Sequence, residues 1–140
     1  MIKKIRKILE ESDSFLLSTI DRNGFPNTIV VSKPIVRNDF HSLKFYVDGN
    51  GKTVKNIQKN HKGNICCYNE YLYESLLMKG VFSVQFASEF KNLEERVSDY
   101  QKLLGHKNPV VLSFKVYTVK IYQNGSTVLK AYENLQNDRM

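Results

Sequence analysis

Ile2, Ile5, Ile8 and Leu9 recur at helical spacing with Lys, Arg and Glu between them, so residues 1–11 are expected to form an amphipathic helix laid on a core. Ser12-Asp13-Ser14 ends it. Phe15 to Ile20 reads as a strand, and Asn23-Gly24 as a hairpin turn whose glycine supplies the positive φ such turns need. The returning strand runs from Asn27 to Ile35, where Ile29, Val31 and Ile35 alternate with Thr28, Val30 and Ser32. Pro34 places its end at an edge or bulge. A polar loop, Val36 to Ser42, leads to a third strand, Leu43 to Val47, closed by the turn Gly49-Asn50-Gly51.

Thr53 to Asn60 has helical character and makes a short crossover, followed by a fourth strand from Asn64 to Glu70. Leu76 to Phe90 reads as a fifth strand interrupted by Gly80, which marks a bulge or a close backbone approach. Leu93, Val97, Tyr100 and Leu104 share one helical face, predicting a helix from Asn92 to Leu104 that Gly105 and Pro109 stop. In the sixth strand, Val110 to Tyr122, the apolar set jumps from Leu112, Phe114 and Val116 to Val119 and Ile121, which predicts a bulge near Tyr117 and Thr118. Asn124-Gly125 then turns the chain into a last strand, Ser126 to Tyr132, and the polar residues 133–140 are expected to fray. The pattern predicts a mainly β fold with peripheral helices, a six- to seven-stranded antiparallel barrel, as a single domain over residues 1–140.

Composition narrows the class without naming a function. A hydrophobic fraction of 41% and a charged fraction of 25% exclude a disordered chain, and no apolar run approaches a membrane span, so the chain is expected in the cytoplasm. Cys66 and Cys67 are adjacent and would point to opposite faces of a strand, which suits neither a disulfide nor a metal pair. His41, His61 and His106 stand apart from one another beside turns, with no metal-ligand spacing, and are assigned to the surface. A net charge of +7 and eight tyrosines raise a nucleic-acid reading, which asks for aromatic and basic residues alternating on one strand face. Lys115, Tyr117 and Tyr122 half satisfy that demand.

The segment Gly49-Asn50-Gly51-Lys52-Thr53 leaves a strand and opens a helix, where free N–H groups and the positive end of the helix dipole suit a phosphate. A triphosphate loop is excluded, because its first glycine would fall on Tyr46. A plain polar turn with a helix cap accounts for the same residues, and the segment alone does not choose.

The order of the elements around it does. A strand turning at Asp21, Gly24 and Pro26, a second strand, Phe45-Tyr46-Val47, the phosphate-type turn, a helix and a further strand resemble the pyridoxamine 5′-phosphate oxidase-like family of FMN-binding split barrels, over residues 12–90. The resemblance implies that Ile29, Val30, Val31, Ser32 and Lys33 lie along the flavin ring. It also implies that Tyr46, Val47, Lys52 and Thr53 hold the ribityl phosphate, and that Ser75 is a polar residue near the flavin. The family's second-strand arginine is replaced by Ile29 and the lysine of its Arg-Lys pair by Thr53, and activity on pyridoxamine phosphate itself is not expected. What the resemblance implies is an FMN-dependent oxidoreductase of unknown substrate, with no catalytic side chain of its own and no metal. It further implies a homodimer whose flavin sites lie between the subunits, with Tyr68, Tyr71, Leu72 and Tyr73 at the interface or around the ring. The same barrel holding a deazaflavin or haem is the alternative.

Overall fold

The structure, a computed structural model, describes residues 2–71 and 73–123 and the backbone of 126–130. Leu72, the expected turn at Asn124-Gly125 and the tail 133–140 lie outside the described residues. The chain runs α1 (Ile2–Glu11), β1 (Ser14–Ile20), β2 (Pro26–Ser32), β3 (Val36–Asn38), β4 (Ser42–Asp48), α2 (Lys52–Lys59), β5 (Lys62–Asn69) and β6 (Glu74–Phe86). After a 3-10 turn at Ala87–Glu89 come α3 (Leu93–Arg96), α4 (Asp99–Leu103), β7 (Pro109–Gln123) and β8 (Ser126–Lys130).

Seven strands follow one antiparallel path, β2-β1-β5-β6-β7-β4-β3, and β8 pairs with β7 beside it. This is the expected mainly β barrel with helices outside. The extra strand is β3, three residues long, in what the polar composition suggested was loop. β7 is long enough to serve three neighbours: its first half pairs with β4, its second with β8, and nearly all of it with β6.

Alternation drives the closure. The inward residues Phe15, Leu17, Leu43, Phe45, Ile65, Leu76, Met78, Phe82, Leu112 and Phe114 are essentially solvent-free. Phe15 meets Phe45 at 5.6 Å and Phe82 meets Phe114 at 4.6 Å between ring centres, so aromatic pairs from different strands fill the barrel. Ile5, Ile8 and Leu9 of α1 and Val54 and Ile57 of α2 join that cluster. Burying such side chains contributes roughly 1.5 to 3 kcal/mol each. Polar contacts fix α1 in place at both flanks: Lys4 reaches the buried Glu74 at 2.7 Å, and Arg6 grips Asp39.

The predicted bulge is present. Lys79 pairs with Thr118 but Gly80 with Val116, so Tyr117 is the extra residue on β7. Gly80 sits at the register shift, where a Cβ would overlap the Lys115 carbonyl oxygen.

One predicted element is corrected. The helix expected over Asn92–Leu104 is two short pieces, broken where Val97 (φ −82°, ψ 131°) and Ser98 (φ −71°, ψ 163°) are extended. Ser98 accepts from the Gln101 N–H while Gln101 reaches back to the Ser98 N–H, a capping box that starts α4 afresh. Of the expected apolar face Val97 is buried while Tyr100 is 64% exposed, so the spacing did not reflect one continuous packed surface. Two strand ends also move inward: β2 stops at Ser32, just before the donorless Pro34, and β6 stops at Phe86.

Candidate functional site

The barrel is split between β2 and β4. As the end of the strand path, β2 pairs only with β1, and β4 pairs with β3 through Ser42, Leu43 and Lys44 alone. Phe45 to Asp48 therefore carry no ladder partner on that side, and β2 approaches β4 without joining it. Two strand edges with unspent backbone donors and acceptors face a common gap.

A groove of about 500 Å³ occupies the gap. Ile29, Val30, Val31 and Ser32 line one wall and Tyr46, Val47 and Asp48 the other, so six of the ten residues singled out in the sequence come together. Ile29 and Val31 pack inward on the core, while Val30 is 66% exposed, an apolar side chain left for something to cover. Burial pushes the Tyr46 hydroxyl above its usual range, so it stays protonated at neutral pH.

Lys52 and Thr53 open α2 directly beyond β4. The N-cap is Gly51, and no side chain caps the first turn, so its N–H groups are left for another acceptor. Lys52 is exposed, whereas Thr53 is buried and accepts from the Asn27 amide of β2 at 3.4 Å, which links the strand to the helix. No acidic residue stands in that first turn. The uncapped amides and Lys52 fit a phosphate, and the β2 edge fits a flat ring rich in donors and acceptors.

The other two residues fall elsewhere. Lys33 donates to the Glu10 carbonyl at 2.8 Å and lies 3.6 Å from Asp13, tied to the end of α1. Ser75 is on β6 in a separate cavity bordered by Tyr68, Tyr73 and Tyr122, which are 52%, 80% and 46% exposed.

A third wall of the groove has no counterpart among the residues expected from the sequence. Tyr100, Gln101, Leu104 and His106 line the same groove, and the His106 ring lies 5.5 Å from that of Tyr46. The Ser98-x-x-Gln101 capping pattern signalled a fresh helix start there, but nothing local told where that turn docks. Burial pushes the buried Cys67 thiol up to about 12 and raises that of the half-buried Cys66, so both stay protonated near neutrality. No metal-ligand cluster is present among the described residues. Lys115 and Tyr122 are both exposed on β7 and border different cavities.

No protein-family model matches the chain, and no curated protein matches its sequence significantly. Solved structures do match. A protein related to general stress protein 26, of the pyridoxinephosphate oxidase family, from Clostridium acetobutylicum superposes with a TM-score of 0.79 at 15% identity over 93% of each chain. A pyridoxamine 5′-phosphate oxidase-related, FMN-binding protein from Nostoc punctiforme gives 0.71 at 16%, covering 86% of this chain and 82% of that one. A haem-binding protein from Mycobacterium smegmatis gives 0.71 at 13%, covering 93% of this chain and 57% of that one. The likeness shows the split-barrel fold shared with pyridoxamine 5′-phosphate oxidase-like proteins.

Proposed function

We propose that this split barrel binds FMN in the groove between β2 and β4 and serves as an FMN-dependent oxidoreductase. The observation that carries the reading is the juxtaposition of two unpaired strand edges with the uncapped N-terminus of α2. Ile29 to Ser32 offer an apolar wall and a free backbone edge to the ring, and Lys52 with the first amides of α2 takes the phosphate. A bound flavin supplies hydride or electron transfer, while the protein orients it and limits water. Neutral Tyr46 can donate a hydrogen bond at the groove wall.

The same reading makes the protein a homodimer, docked through the exposed Tyr68, Tyr73 and Tyr122 around Ser75. That arrangement gives Ser75 a place near the partner's flavin. One observation favours a second ligand: His106 puts an imidazole in the groove, as haem iron would use.

The visible spectrum of the purified protein decides. A yellow, fluorescent protein, or one that takes up FMN on reconstitution, is the expected result. A colourless protein that refuses FMN overturns it, and an intense Soret band assigns the groove to haem.

A further inference from the structure

A cavity of about 680 Å³ lies outside the split, between the β1–β2 turn and the outer face of α2. Arg22 and Asn23 of the turn face Lys52, Lys55, Gln58 and Lys59 of the helix across it. Among the described residues none of these four cations forms an ion pair. The one carboxylate in the lining, Asp21, accepts through Oδ1 from the Asn23 and Phe25 N–H groups at 2.9 Å each to hold the turn, so four cations stand against a single negative charge.

This arrangement works against the stability of the free protein. Lys52 with Lys55, and Lys55 with Lys59, are neighbours at three- and four-residue spacing, where like charges repel. Lys52 also stands at the positive end of the helix dipole, with no acidic residue in the first turn to offset it. Local conflicts of this kind are relieved when an anion binds, and they concentrate at functional positions.

The shape selects among anions. With Lys52 given to the FMN phosphate, Lys55 and Lys59 remain, about 6 Å apart along the helix, and with Arg22 of the turn they make a spread that a diphosphate fills better than a single phosphate. The cavity volume suits a nucleotide-sized guest. Its concave form, closed on one side by the hairpin turn, favours a small molecule over a nucleic-acid duplex. We propose that this cavity is an oligophosphate site built on Arg22, Lys55 and Lys59, taking inorganic pyrophosphate or the diphosphate of a nucleotide, separate from the groove between β2 and β4 and bordering the FMN phosphate cradle only at Lys52.

The test is calorimetric titration of the full chain with orthophosphate, pyrophosphate and ADP, with and without saturating FMN, for the native protein and the double variant Arg22→Gln/Lys59→Gln. The expected result is pyrophosphate binding tighter than orthophosphate, persisting with FMN present, and weakened about tenfold or more in the double variant. Unchanged FMN uptake and a cooperative melting curve at or above the native temperature in that variant exclude misfolding. ADP binding more tightly than pyrophosphate assigns the nucleotide as the source of the phosphates, and equal affinity assigns the oligophosphate alone. Loss of pyrophosphate binding on adding FMN overturns the proposal, because the cavity is then only the phosphate end of the flavin site. So does absence of binding, or orthophosphate binding as tightly as pyrophosphate. Because the pyrophosphate arm is read without flavin, failure of the FMN reading leaves this result interpretable.

Discussion

Asn56 of α2 donates its side-chain amide to the Thr19 hydroxyl of β1 across 3.1 Å, and both residues are buried. The bond sets the rotation of α2 against the barrel, and with it the direction of Lys52 and the uncapped first turn. Asn56→Leu or Thr19→Val alone leaves a buried polar group unpaired and should cost about 1 to 3 kcal/mol in urea denaturation. The double variant should recover part of the loss. Strictly additive costs would mean the two side chains do not support one another.

Lys52→Ala removes the one cation of the proposed phosphate cradle at the start of α2. A charge-assisted hydrogen bond is worth about 1.5 to 3 kcal/mol, so FMN affinity by fluorescence titration should fall about tenfold or more. Unchanged affinity would move the phosphate elsewhere. Thr53, buried and engaged with Asn27, is no substitute for the missing lysine.

Gly80→Val supplies a residue with high strand preference and should still destabilise. Its Cβ would overlap the Lys115 carbonyl oxygen and lie 2.9 Å from Phe114 Cζ, and this contact is backbone, which cannot swing away. A loss of about 2 kcal/mol or more is expected from overpacking at the bulge. Gly24→Ala meets nothing within 4 Å but must hold φ +84°, so its cost should be about 1 to 2 kcal/mol and purely conformational. A tolerated Gly80→Val would show that the β6–β7 bulge can relax.

Arg6 donates through Nε and Nη2 to both Asp39 carboxylate oxygens at 2.8 Å, joining α1 to the turn between β3 and β4. Hydrogen bonding from Arg6 holds the Asp39 carboxyl below its ordinary value of 3.8. A lowered folded pKa means the pair contributes stability above the unfolded value and loses it as pH falls through the folded one. Asp39→Asn keeps the positive φ of 54° tolerable while deleting the charge. The native protein should therefore melt above the variant at neutral pH, with the gap closing as pH falls below 3.8. A gap that persists at about pH 2 would assign the difference to something other than this ion pair.

The bulge was legible in the sequence because it is a defect in a local period. With side chains alternating every residue, one extra residue between Val116 and Val119 must appear as a slip in the apolar set. The turn that opens α2 was legible for a similar reason, since glycine, lysine and a helix start within five residues are a local event. The helix over Asn92–Leu104 misled because apolar spacing records a face only if something covers that face, and here Tyr100 and Leu104 were turned to a groove wall.

The order of its own turns and periods thus determined this protein's barrel class, its two main helices and the position of the phosphate-type turn. Which strand edges remain open was decided only by tertiary structure. β7 must divide its length between β4 and β8, β4 is left with three residues of β3, and the gap opposite β2 follows from that pairing. The docking of Tyr100, Gln101 and His106 against that gap, and of Arg22 opposite Lys59, joins residues far apart in the chain. No local pattern encodes such meetings, because they depend on how the whole sheet twists and closes.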